Sequence, residues 1–138
     1  MLEIHIRTIP HSRQRYDTIG DWIQEEDGSF YIRVSQLDDW RMEFAVAIHE
    51  LVELALCKQA GITQQQVDEF DFASDREDPG MDIAAPYHRE HLLACGIENS
   101  VLHLLGVSQI EYEERCRNPI PDSTSSANKA MVPDSQSG

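Results

Sequence analysis

The stretch AIHELVELAL, residues Ala47–Leu56, carries its apolar side chains at helical rather than strand spacing. Placed at 100° per residue, Phe44, Ile48, Leu51, Val52, Ala55 and Leu56 fall on one broad face. The segment is therefore expected to be an amphipathic helix that buries this face. Asp38 and Asp39 can cap and charge its N-terminus, and Gly61 ends it. At the margin of the apolar face stand His49 and Glu53, about 40° apart, with Glu50 about 60° further round. An imidazole and a carboxylate, both acceptable to a metal ion, thus project side by side. The same spacing also arises in acidic helices whose charges only face solvent, so the rest of the chain has to decide between the two.

A second helix supplies the context. Pro86 suits the first position of a helix running to about Leu105, whose apolar face is Tyr87, Ala94, Val101, Leu102 and Leu105. His91, Cys95 and Glu98 fall in the middle of that face. A buried carboxylate without a partner costs on the order of several kcal/mol or stays protonated. If the two helices pack through their apolar stripes, His49 and Glu53 meet His91 and Glu98. The expected site is one divalent metal on His49, Glu53 and His91, with a position open for water and Glu98 touching either the metal or a ligand. Two imidazoles and one carboxylate favour zinc, and manganese or iron would accept the same set. Without a metal, the same residues would be a hydrogen-bonded polar cluster that fixes helix packing. Cys95 is read as a small buried hydrophobe.

HELVE, following strand-like segments, resembles the HExxH helix of the zincin metallopeptidases, with Glu53 where that motif has its second histidine. The resemblance implies a zincin-like minimal domain and metal-dependent hydrolysis of peptide or amide bonds, with Glu50 as general base. In that reading Tyr87 or His88, at the mouth of the second helix, would stabilise an oxyanion. The acidic loop from Asp71 to Asp82, with its bend at Pro79 and Gly80, would act as a lid. Between about residues 45 and 112, HELVELALCKQAGIT, VDEFD, DPGMDIAAPYHREH and IENSVLHLLGV are similar to a set of small, functionally unassigned phage and prophage proteins, a likeness that implies no activity. Such an acidic protein could instead bind and inhibit a host protein without catalysis, presenting carboxylates to a basic groove. A third reading takes Glu50, Glu53, Asp68 and Asp71 as two acidic pairs, similar to those that hold magnesium in the all-α nucleotide pyrophosphohydrolases of the MazG type. Otherwise Asp68 and Asp71 are polar groups at a helix end.

Around these helices the chain reads as α+β. LEIHIRTI alternates Leu2, Ile4 and Ile6 against Glu3, His5 and Arg7, the period of a half-buried strand. Asp27-Gly28 separates two further strand-like runs as a hairpin turn, with Phe30, Ile32 and Val34 on one face. Three antiparallel strands are expected to pack with the two long helices. A short helix is capped by Thr63, and another follows Gly106 in SQIEYEERC. His5, His11 and His103 are expected at the surface. Residues 1–117 are expected to form one domain, and the Pro- and Ser-rich segment 118–138 a disordered tail.

Of 138 residues, 25 are acidic and 11 basic, a net charge of −14 that argues against binding nucleic acid through its phosphates. The expected partner is a peptide or a host protein. Cys57, Cys95 and Cys116 form no CxxC pair, and neither a leader nor a membrane span is evident, so a reducing cytoplasm is expected, that of the host if the chain is phage-encoded.

Overall fold

Gly28, at φ 88°, makes the tight turn of the expected hairpin, which joins β2 (Gly20–Gln24) to β3 (Phe30–Ser35) as antiparallel neighbours. The computed structural model describes residues 1–121, and most of the expected tail lies outside them. β1 (Ile4–Ile9) does not extend the antiparallel pattern. It lies on the far side of β3 and runs parallel to it, Ile6 opposite Ile32, so the sheet is mixed with order β1-β3-β2. Alternation fixes which side chains share a face but says nothing about a neighbour's direction. Here the connection through residues 10–19 carries the chain past β3 before β2 begins.

β3 is the centre of the sheet and buries Phe30, Ile32 and Val34 while Tyr31 stays exposed, as its alternation predicts. β1 departs from expectation. Its inward side chains include Ile6, 53 % exposed, because α1 (Trp40–Ala60) lies over β3 and β2 rather than over β1.

α1 begins at Asp39, whose carboxylate accepts from Arg41 N, and ends at Gly61 in the left-handed region, φ 75°. α2 (Gln64–Ala73) opens with a capping box between Thr63 and Gln66, and Asp71 lies in its last turn, two residues before its end. A 3₁₀ turn, Pro79–Met81, interrupts the acidic loop. α3 (His88–Leu104) starts two residues later than Pro86, and α4 (Gln109–Arg117) is capped by Ser108. α1 and α3 are antiparallel: Arg41 reaches Leu105 O, His49 meets Glu98, and Glu53 meets His91.

The face that α1 buries is not the one its composition suggests. Buried are Met42, Ala45, Val46, Ala47, His49, Glu50, Glu53, Leu54 and Cys57, whereas Phe44 and Ala55 are exposed and Ile48, Leu51, Val52 and Leu56 half-buried. The helix turns its ionisable residues inward because the sheet and α3 together offer them partners. Its most apolar side is left half-buried to exposed. Among the described residues, no helix is long and apolar enough to cross a membrane.

Candidate metal centre

A cavity of about 850 Å³ opens between β2, α1, α2, the acidic loop and α3. At its floor the Glu53 carboxylate takes three donors: Oε2 lies 3.1 Å from His49 Nε2 and 2.9 Å from His91 Nδ1, and Oε1 accepts Trp22 Nε1–H at 3.2 Å. The other nitrogen of each ring is also occupied. His49 Nδ1 is 2.7 Å from Glu98 Oε1, and Glu98 Oε2 in turn accepts the Tyr112 hydroxyl. His91 Nε2 is 3.2 Å from Asp78 Oδ1 and 3.6 Å from Cys95 Sγ. The two imidazoles meet edge to face at a centroid separation of 4.7 Å.

Every ring nitrogen of both histidines therefore faces a carboxylate. Without a metal, only the doubly protonated ring satisfies all of these acceptors. Burial would lower both histidines, yet the surrounding acceptors reverse it: Asp78, Cys95 and Glu53 raise His91 to about 12, and Cys95, Glu53 and Glu98 raise His49 well above its ordinary range. Burial likewise drives Glu53 up, and the two imidazoles overcome it and hold its carboxyl well below the usual range. Glu50, one turn back, differs. It is buried, makes no side-chain hydrogen bond to a described residue, and is pushed well above the usual range by desolvation and by the neighbouring Glu53 charge. Two carboxyls on one helix thus have their proton affinities pushed in opposite directions by their surroundings.

His49 Nδ1/Nε2, His91 Nδ1/Nε2 and Cys95 Sγ offer one donor atom each within 4.8 Å of one another. Donors around one tetrahedral zinc stand about 3.5 Å apart, so the cluster needs a modest contraction to hold an ion. Glu53 Oε2, already in contact with both rings, is the carboxylate best placed to join them.

Two glycines make room for this arrangement. A Cβ at Gly80 would come within 2.4 Å of His91 Cγ, and one at Gly20 within 2.6 Å of Glu50 Oε1. The Pro79-Gly80 bend is thus a buried clamp on His91 rather than an open hinge, and His88 Nδ1 pins it further at Gly80 O, 2.9 Å.

The expected residues meet, with corrections. His49, Glu53, His91 and Glu98 share the cavity, and Glu98 contacts His49. Tyr87 lines the cavity, but it is 3 % exposed and its hydroxyl donates to Asp71 Oδ1 at 2.5 Å, so it is a strut rather than a group at the mouth. Tyr16 donates to the other Asp71 oxygen. Asp68 is held by Arg15, which also clasps Asp21, while Asp71 lines the same cavity as Glu50 and Glu53 with one oxygen bonded to each tyrosine. His11 is half-buried, bonded to Ser35 and Asp17, while His5 and His103 are exposed as expected.

No family model, curated protein or solved structure matches this chain. The fold turns Cys95, read from the sequence as a buried hydrophobe, into a half-buried donor beside His91, and it adds Asp78, Trp22 and Tyr112 to the site. Cys95 was legible at i+4 from His91. A buried Trp22 requires an acceptor, which hinted at a polar neighbour. Asp78, in an irregular loop, carried no signal.

Proposed function

We propose that this protein is a metal-dependent hydrolase of peptide or amide bonds, zincin-like in arrangement, with one divalent ion on His49, Glu53 and His91. The observation that carries this reading is Glu53 Oε2 lying 3.1 and 2.9 Å from two imidazole nitrogens, next to the buried carboxyl of Glu50, which has no hydrogen-bond partner among the described residues. A bound ion would supply Lewis acidity towards a carbonyl and lower the pKa of water. Zinc is favoured because Cys95 sets a soft donor beside the two rings, while manganese or iron would accept the imidazoles and carboxylate.

The chain's own residues divide the remaining work. In its ionised form, which a bound cation beside Glu53 would favour, Glu50 would take a proton from the attacking water and deliver it to the leaving amine. Trp22 fixes the Glu53 carboxylate, and Glu98, held by Tyr112, fixes the tilt of His49. Asp75 and Glu77, exposed on the loop that lines the entrance, favour a substrate with a basic side chain near the scissile bond.

Elemental analysis of protein prepared without added metal tests the reading. The expected result is about one transition metal per chain, lost in the His49→Ala/His91→Ala double variant. A metal-free protein that takes up no zinc on titration would overturn it. Should that protein retain its fold, the same entrance carboxylates would support the non-enzymatic reading, an acidic inhibitor of a basic host protein.

A further inference from the structure

The buried face of α1 leaves its apolar side unexplained. At 100° per residue, Phe44, Ile48, Leu51 and Ala55 lie on the side of α1 opposite His49, Glu50 and Glu53. On α3, Leu93, Ile97 and Leu104 form a stripe turned away from His91 and Cys95. Because the two helices are antiparallel and share the cavity on one side, these stripes adjoin on the other. On β1, the sheet edge away from the cavity-lining β2, Ile4 and Ile6 share the sheet face on which Phe30 and Ile32 are buried, and Ile6 is 53 % exposed. The exposures are those of a surface left uncovered: Trp40 67 %, Phe44 49 %, Leu104 82 %, with Leu93 and Ile97 close to half.

We infer that this face, formed by β1, α1 and α3 on the side opposite the metal centre, is the twofold interface of a homodimer. The case for a second copy rests on charge, area and the rest of the chain. Between Phe44 and Leu56 the only ionisable side chains are His49, Glu50 and Glu53, all turned inward. Between Leu92 and Leu105 they are Glu98, bonded to His49, and His103, which lies off the stripe. A chain of charge −14 would recruit a basic partner through its carboxylates, and the stripes expose none: Glu90, beside Ile97 on α3, is buried, and the exposed charges at the rim, Lys58 and Arg89, are cations. An isologous contact needs none, because each copy brings the same neutral patch. The exposed apolar area is on the order of 700 Å², above the usual largest patch of a monomer and close to what one partner buries in a standard interface. Residues 122–138 contain only Met131 and Val132 as large apolar side chains, little with which to compete for such a face. Two antiparallel pairs of α1 and α3 across a twofold axis make a four-helix layer, with the two cavities opening outward.

The full-length chain in sedimentation velocity provides the test, over a concentration range from about 1 to 100 µM. The expected species has twice the chain mass, and raising the salt does not dissociate it. Phe44→Glu and, separately, Leu104→Glu are expected to weaken the dimer by at least tenfold each with unchanged circular dichroism. Leu104, the more exposed position, keeps the test decisive if Phe44→Glu fails to fold. Trp40 gives an independent readout: acrylamide quenching of its fluorescence is expected to fall as the dimer forms, whereas Trp22 is buried in either state. A wild-type monomer throughout the range would overturn the inference, as would a dimer indifferent to both substitutions. A monomer would leave the face to a different protein.

Discussion

Replacing Gly80 by alanine probes the coupling between the acidic loop and the metal centre. The new Cβ would sit 2.4 Å from His91 Cγ, 2.6 Å from Nδ1 and 2.7 Å from Cδ2, all atoms of the ring proper rather than the end of a pliable chain. Relief requires the ring to swing by about 1 Å, because ordinary carbon contacts begin near 3.5 Å. That movement takes Nδ1 out of its 2.9 Å contact with Glu53 and disturbs the approach to Asp78. Losing a charge-assisted hydrogen bond costs about 1.5–3 kcal/mol. Overpacking adds about 1–3 kcal/mol. Allowing for partial relaxation, the net destabilisation is about 3 kcal/mol, a fall in Tm of roughly 10 °C for a domain of this size. Displacing one ligand should weaken zinc binding by about 10–100-fold, measured by competition with a chelating dye. Gly96→Ala is the control: nothing lies within 4 Å of its Cβ, so it is expected to stabilise α3 by about 0.5–1 kcal/mol. If Gly80→Ala melted within about 2 °C of the parent and bound zinc within about threefold, the clamp would be refuted.

Other outcomes follow from the same geometry. Burial raises Asp71 to about 6 in spite of the Tyr87 and Tyr16 hydroxyls, so its contribution to stability is full below about pH 4 and is lost as pH rises through 6. Urea unfolding should show wild type losing about 2–3 kcal/mol relative to Asp71→Asn between pH 4 and 7, and parallel profiles would exclude the effect. Tyr112→Phe releases Glu98 Oε2 and is expected to lower zinc affinity about tenfold, with a fall in Tm of roughly 5 °C from the lost hydrogen bond; unchanged affinity would show that Glu98 does not orient His49. Glu50→Gln keeps the side-chain shape and removes the proton acceptor, so metal content and stability should hold while hydrolysis of a basic peptide drops at least ~100-fold, and retained turnover would remove Glu50 as base.

Much of the candidate site could be read from spacing alone. His49 and Glu53 at i and i+4, and His91 and Glu98 on the apolar stripe of the later helix, were bound to share a pocket once the two helices packed, and they do. Asp78 and Tyr112 could not be read in this way. One sits in a loop with no period, and the other belongs to a short helix whose docking depends on the whole fold.

The hairpin at Gly28, the Thr63 capping box, the Gly61 stop and the extents of both long helices follow from local rules: which residue tolerates positive φ, which side chain reaches an unpaired N–H, and what periodicity repeats. The direction of β1, the face that α1 buries and the state of each carboxyl did not follow from such rules. Those depend on partners far away in the chain. α1 is apolar on one side and ionisable on another, and hydrophobicity alone selects the first for burial. The second is buried because Trp22, His91, Glu98 and the backbone at Gly20 converge on it, compensating the desolvation that would otherwise keep Glu53 in water.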